Sequence, residues 1–135
     1  MSRHEVHLPR YADALGITLD HWDGDAPVLG VDYSELTCGY PGRFHGGALG
    51  GLLEMAAIAA LQAELAAGDS DPRLKPVNIT IEYLRGAGMR RTFARGEVVR
   101  LGRRIANVRA IAWQDSPDKP VAIGMTNVRL AQAQG

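Results

Sequence analysis

The sequence predicts an α+β domain in which a curved antiparallel β-sheet wraps around one long buried helix. From Gly46 to Leu61 the chain holds one charged residue, Glu54, and a helix that is apolar nearly all round is a buried helix. The residues after this stretch read as β-strands separated by short turns. A single apolar helix needs a sheet curved around it, so the 135 residues are expected to form one domain.

The other elements follow from turn and capping signals. Residues 1–16 form an N-terminal helical segment, with Pro9 at the start of a short helix and Gly16 at its end. A hairpin follows, and the central helix stops at Gly68. Residues 131–135 are expected to be a frayed tail. The predicted strands are 17–22, 28–33, 77–83, 92–101, 105–114 and 121–130.

Small side chains on one face of the third strand after the helix leave room for that helix. Ala106, Val108, Ala110 and Ala112 occupy alternate positions there. The other face of the sheet and its edges then need cover, which indicates that the chain forms oligomers.

The composition excludes several classes of protein. Fifteen Lys and Arg balance fifteen Asp and Glu, which argues against bulk electrostatic binding to nucleic acid or membrane. With Cys38 alone, neither an internal disulfide nor a Cys-rich metal site is expected. The apolar helix, interrupted by Glu54 and Gln62, is predicted to be too short to span a bilayer. We therefore expect a cytoplasmic protein without a metal.

Glycines and a lone acid mark the helix as more than a core element. Gly46, Gly47, Gly50 and Gly51 lie in its first two turns, where they permit close approach of backbone, sheet or ligand. The free N–H groups of a helix N-terminus can hold developing negative charge. His45 and Glu54 are nine residues apart and therefore point to opposite sides of one helix. A site that uses both is predicted to take them from two copies of the helix.

The motif His45-Gly46-Gly47, with Glu54 nine residues after the histidine, resembles that of the PaaI-like hotdog-fold acyl-CoA thioesterases. The strand over 77–84, the turn over 102–104 and the final strand from Pro120 match that family in order. The resemblance implies the hotdog fold for nearly the whole chain from Ile17. It also implies an enzyme that hydrolyses a coenzyme A thioester to the free acid and CoA, with no cofactor beyond the CoA of its substrate.

The resemblance assigns roles by position. The N–H of Gly46 polarises the thioester carbonyl, and Glu54 acts as general base on water or as nucleophile. For His45 it leaves open a direct catalytic role or a role in capping the helix. Gly47 and Thr80 are expected to contact substrate. The two halves of the site come from different subunits, which implies a homodimer and further a dimer of dimers, a homotetramer.

Two positions depart from the family pattern. The family has Asn or Gln six residues before the histidine, where this chain has Gly39; Cys38, Tyr40 and Arg43 are the candidate replacements. A second polar position of the family is Ile58 here. These departures favour an alternative function, a non-catalytic acyl-CoA or acyl-carrier binding protein. A hotdog dehydratase is disfavoured because the helix region lacks that catalytic set.

Some residues have a structural and a functional interpretation. Arg103 and Arg104 are either solvated turn residues or contacts for the phosphates of coenzyme A, which arginine forks match. The same two interpretations apply to Arg85 and Arg90. Glu54 is either the catalytic carboxylate or a buried acid paired with an arginine.

Overall fold

The computed structural model describes residues 6–68 and 72–131. Two helices and six strands make up this part of the chain. In chain order they are α1 (Arg10–Leu15), β1 (Thr18–Asp23), β2 (Ala26–Val31), α2 (Gly46–Ala67), β3 (Arg73–Tyr83), β4 (Thr92–Leu101), β5 (Ile105–Trp113) and β6 (Ala122–Ala131).

All six strands form one antiparallel sheet in the order β1-β2-β4-β5-β6-β3. The strand after the central helix, β3, does not pair with β4. It pairs with β6 at one edge, and the chain then crosses to place β4 beside β2. The predicted architecture, a sheet around one long helix, is confirmed.

The inner face of the sheet holds small residues against α2, as predicted. Ala106, Val108, Ala110 and Ala112 of β5 are all fully buried. On β4, a Cβ added at Gly96 would lie 2.6 Å from the carbonyl oxygen of Ala56. The helix therefore packs directly on the backbone of the sheet, which only glycine permits at that point.

The central helix contains 22 residues and ends immediately before Gly68, where the sequence predicts its end. The prediction that it is too short to span a bilayer was wrong, because a helix of this length rises ~33 Å. By length and hydropathy α2 passes as a membrane span, but 72% of its most apolar window is buried inside the protein. Packing against the sheet accounts for its apolar character.

Strand β3 differs from its prediction. It begins at Arg73 rather than Val77 and includes Pro76, which an edge strand tolerates because one side of its backbone is unpaired. The register shifts between Pro76 and Asn78. At the other end of the fold, β6 extends to Ala131, and residues 132–135 of the expected tail lie outside the described residues.

In the N-terminal segment, the predicted start and end of the short helix are confirmed at α1. Pro9 is the N-cap of this helix, and Gly16 ends it with a left-handed φ of 78°. Residues 1–5 lie outside the described part of the chain.

An arginine connects the two hairpin strands to β4. Arg91 donates hydrogen bonds of 3.0 Å to the carboxylates of Asp20 and of Asp32. Asp32 directly follows β2, so this contact fixes the point at which the chain leaves the sheet toward α2.

Candidate active site

A short loop precedes the start of α2. The N–H of Gly39 donates to the carbonyl of Arg43 at 2.8 Å, and the N–H of Arg43 donates to that of Tyr40 at 2.9 Å. Cys38 and Phe44 form an isolated β-bridge on either side of this turn. Gly42 lies at its tip with a φ of 83°, a conformation that favours glycine. The loop is closed by its own backbone, as its glycine and proline content predicts.

Tyr33 supports this loop through hydrogen bonds and ring packing. Its hydroxyl donates to the Cys38 thiol at 2.9 Å and accepts from the N–H of Gly42 at 3.0 Å. The hydrogen bond to that thiol is the main cause that raises the pKa of Tyr33. The Tyr33 ring packs edge-on against Phe44, with centroids 5.4 Å apart. Cys38 is thereby engaged in holding the loop.

His45 caps the helix with its side chain. Its Nδ1 accepts a hydrogen bond of 2.9 Å from the N–H of Ala48, and its Nε2 lies 3.2 Å from the carbonyl of Leu36. A carbonyl only accepts, so Nε2 carries the proton and donates. Both ring nitrogens are thus occupied by backbone groups. The catalytic role of His45 stays a prediction, and its geometry is that of a positioning residue.

Two neighbouring amides at the start of α2 face solvent. Gly46 and Gly47 are exposed, and neither N–H makes a hydrogen bond within residues 6–68 and 72–131. The first N–H groups of any helix lack intrahelical acceptors. Here they are left free at an open surface, where the helix dipole also favours negative charge.

Glu54 lies on the same face of α2 as Gly47. Gly47, Gly50 and Glu54 recur at intervals of three and four residues, which places them on one face. Gly50 and Glu54 are half-buried, whereas most of the helix around them is fully buried. Glu54 is therefore more accessible in one chain than the apolar sequence around it predicts. It makes no ion pair or hydrogen bond with any described residue, so the interpretation as an acid paired with an arginine finds no partner there.

The edge strand β3 borders this face of the helix. A Cβ on Gly50 would lie 2.9 Å from Cδ1 of Ile81, and a Cβ on Gly46 would lie 3.2 Å from the Tyr83 hydroxyl. The glycines therefore serve the close approach that the sequence predicted. Tyr83, which sequence reasoning did not select, is 55% exposed and stands beside the free amides. The sequence signal that could have indicated Tyr83 is its position at the end of a strand in which apolar and polar residues alternate.

Thr80 is not beside the helix of its own chain. It pairs with Met125, and both side chains are exposed on the face of the sheet away from α2. Strand alternation points Ile79 and Ile81 inward and Thr80 outward, so the expected contact of Thr80 with substrate stays a prediction.

Arg103 and Arg104 lie at the far end of α2. Arg103 lines a cavity of about 330 Å³ together with Glu64, Leu65 and Leu101. The backbone carbonyl of Arg104 accepts a hydrogen bond from Leu130. From Gly46 to Glu64 the helix rises ~27 Å, so within one chain these arginines are remote from the free amides. Arg43 lies nearer to the start of α2, with its guanidinium against Gly86. Arg90 is held by hydrogen bonds to Asp115 and Gln114.

The structure explains one departure from the family pattern. A Cβ on Gly39 would lie 2.8 Å from the Cβ of His45, so the place of a side chain is already filled. The second departure, Ile58, is a core residue with 4% exposure. Among the described residues, no three His, Cys, Asp or Glu side chains are grouped closely enough to bind a metal ion.

A six-stranded antiparallel sheet wrapped around one long helix defines the hotdog class of proteins. The chain belongs to the acyl-CoA thioesterase family: the model of the acyl-CoA thioesterase N-terminal domain matches residues 39–129, which include the loop, α2 and most of the sheet. The protein is accordingly a thioester hydrolase by family.

Solved structures share the fold along most of their length. A phenylacetic acid degradation-related thioesterase from Ralstonia eutropha is 24% identical, with 92% of each chain covered and a TM-score of 0.73. A mutant form of the phenylacetic acid degradation protein PaaI from Thermus thermophilus is 24% identical over 90% of this chain and 99% of that one, with a TM-score of 0.71. A thioesterase from Haemophilus influenzae is 18% identical over 90% and 82%, with a TM-score of 0.77. A search of the curated proteins gives no match.

Proposed function

We propose that this protein hydrolyses an acyl-CoA thioester through the amides at the start of α2 and the carboxylate of Glu54. The observation that carries the proposal is the pair of exposed, unbonded N–H groups of Gly46 and Gly47 at the start of a helix that also carries a half-buried acid without an ion-pair partner among the described residues. Donors aimed at a carbonyl oxygen stabilise the negative charge that develops there when the carbonyl carbon is attacked.

In the proposed reaction the thioester oxygen accepts hydrogen bonds from these amides. Glu54 removes a proton from water, the hydroxide oxygen bonds to the carbonyl carbon, and the carbon–sulfur bond then breaks. The CoA thiolate leaves and takes up the proton, so the products are the acid and free CoA. In the other form of the proposal, Glu54 itself attacks the carbon, the carbon–sulfur bond breaks as the CoA thiolate leaves, and water cleaves the resulting anhydride to the acid and the Glu54 carboxylate.

We further propose that the two groups of one site come from two subunits. Gly46 and Glu54 are eight residues apart, a rise of ~12 Å, which exceeds what one carbonyl group in contact with both would bridge. The edge of β3 carries the exposed apolar side chains of Val77 and Tyr83, and its outer backbone edge has no partner strand among the described residues. A second copy placed there would cover the edge and Glu54 together.

In a homodimer Thr80 of one chain is available to the site of the other, because it faces outward beside the β3 edge. Arg103 and Arg104 are proposed contacts for the CoA phosphates, and His45 positions the helix start. Pairing of dimers into a homotetramer and a cytoplasmic location complete the proposal.

The second candidate function is a binding protein that holds acyl-CoA or acyl carrier without hydrolysis. The filled position at Gly39 favours it, because no polar side chain is present there to orient water. A panel of acyl-CoAs incubated with the protein, with released thiol measured by a thiol reagent, separates the two functions. Release that depends on the protein supports the thioesterase, whereas tight binding without release supports the binding protein.

Glu54→Gln is the decisive variant for the enzyme. The substitution is nearly isosteric and removes charge and basicity, so the variant should fold, bind acyl-CoA and lose about two to four orders of magnitude of turnover. Wild-type turnover in Glu54→Gln would remove the proposed role of the carboxylate.

A further inference from the structure

The peptide group between Gly46 and Gly47 is held on its carbonyl side by a side chain from the sheet. The Tyr83 hydroxyl donates a hydrogen bond of 2.9 Å to the carbonyl oxygen of Gly46. In a trans peptide the C=O and the N–H point in opposite directions within one rigid plane. The bond from Tyr83 therefore holds, from outside the helix, the peptide plane in which the free N–H of Gly47 lies.

The adjacent amide is held in a different way. The N–H of Gly46 belongs to the peptide whose carbonyl is that of His45. That carbonyl accepts from the N–H groups of Ala48 at 3.1 Å and of Leu49 at 3.3 Å. These bonds come from the helix itself, so within the described residues only the Gly47 amide is oriented by a group from outside the helix.

Two glycines of α2 leave room for the Tyr83 ring beside the helix backbone. A Cβ on Gly46 would lie 3.2 Å from the phenol oxygen and 3.3 Å from Cζ, and a Cβ on Gly50 would lie 3.8 Å from the oxygen. Glycines at both positions let the ring approach the helix backbone. The ring remains 55% exposed and stands at the open surface where the two amides are free.

We propose that Tyr83 is a positioning residue that aligns and polarises the N–H of Gly47 toward the thioester carbonyl oxygen. A hydrogen bond accepted by a peptide carbonyl strengthens the donor on the same peptide, because hydrogen bonds in a chain polarise one another. The strengthened donor contributes most when the oxygen becomes negative, which is in the transition state. This inference rests on the proposed function and assigns to Gly47, beside Gly46, the role of donor.

The test is Tyr83→Phe, which keeps the ring against Gly46 and Gly50 and removes only the hydroxyl. Since the lost contribution is made in the transition state, kcat should fall about threefold to tenfold, the scale of one hydrogen bond, with KM unchanged. Tyr11→Phe is the matched control. Tyr11 packs on Gly51 of the same helix, but its hydroxyl makes no hydrogen bond to a described residue. This control should retain wild-type kcat.

A spectroscopic readout separates positioning from a structural role and does not need turnover. The infrared carbonyl stretch of an acyl-CoA is measured when bound to Glu54→Gln and to Glu54→Gln combined with Tyr83→Phe. The bound stretch should move to lower frequency in the first protein and return toward the free value in the second. A merely structural role would lower the melting temperature of Tyr83→Phe and leave the stretch unmoved.

The outcomes distinguish the two proposals. An unchanged kcat and an unchanged carbonyl stretch in Tyr83→Phe, in a protein whose wild type hydrolyses acyl-CoA, would overturn the role of Tyr83 and leave the thioesterase intact. Absence of hydrolysis by the wild type would overturn the proposed function. In that case the infrared comparison still decides whether Tyr83 directs the Gly47 donor at a bound carbonyl.

Discussion

His45 occupies the space that a side chain at position 39 would need: a Cβ built on Gly39 lies 2.8 Å from the Cβ and 2.9 Å from the Cα of His45. Because one of these contacts is with backbone, it cannot be relieved by rotating a side chain. The loop before α2 is thus packed around a glycine, and the capping histidine leaves no room for a side chain at position 39.

Gly39→Asn, which introduces a residue typical of the resembled family, should therefore damage the loop. We expect a loss of about 1–3 kcal/mol in the free energy of unfolding, the usual cost of overpacking, and no gain in turnover. Denaturant titration and the thiol-release assay measure both effects. Gly24→Asn is the control, since nothing lies within 4 Å of a Cβ there and asparagine tolerates its φ of 63°. A Gly39→Asn variant that is as stable as wild type and faster would contradict this account.

Substitution of His45 separates capping from chemistry. Asparagine is a good N-cap, whereas alanine offers no acceptor to the N–H of Ala48. His45→Ala should lose about 0.5–2 kcal/mol of stability and much of its activity. His45→Asn should recover most of both if the residue only positions the helix start. A stable His45→Asn protein with no activity would instead assign the imidazole a direct catalytic role.

Replacing Arg103 and Arg104 together by alanine should raise KM for acyl-CoA more than it lowers kcat. Contacts to phosphates far from the thioester stabilise ground state and transition state alike. The penalty should shrink for acyl-pantetheine, which lacks the nucleotide. Arg43→Ala, a change beside Gly86 near the start of α2, is the variant at the other end of the helix with which these KM and kcat values are compared. Equal losses on both substrates would make Arg103 and Arg104 structural.

Mixing two inactive variants tests the site shared between subunits. Glu54→Ala and Gly46→Val should each be nearly inactive alone. After both are unfolded, mixed equally and refolded, half of randomly paired two-fold interfaces are mixed, and each mixed interface holds one intact site and one doubly broken site. Activity should recover to about a quarter of wild type.

The complementation needs one control, because a valine at position 46 approaches the Tyr83 hydroxyl and crowds the helix start. Each variant alone must remain folded and oligomeric. With that established, a mixture as inactive as its parents would show that both groups of a site come from one chain.

The sequence by itself determined the architecture and the location of the candidate site. The nearly charge-free stretch around Glu54 required a buried helix, and the small residues of β5 required that helix to lie against the sheet. The structure confirms both predictions because each rests on a local pattern of burial that is repeated along one element. The motif from His45 to Gly47 likewise located the helix start, since capping is decided within a few residues.

The tertiary structure alone decided which residues meet. Strand β3 lies at the edge beside β6, which brings Tyr83 to Gly46 over 37 residues of sequence and turns Thr80 outward. The pairing order of strands is a global choice that alternation within one strand does not encode. The distance of Arg103 from the free amides depends on the same choice, because the sheet places Arg103 beside Glu64 and Leu65. The space filled at Gly39 and the occupied nitrogens of His45 depend instead on how the loop before α2 folds back on itself.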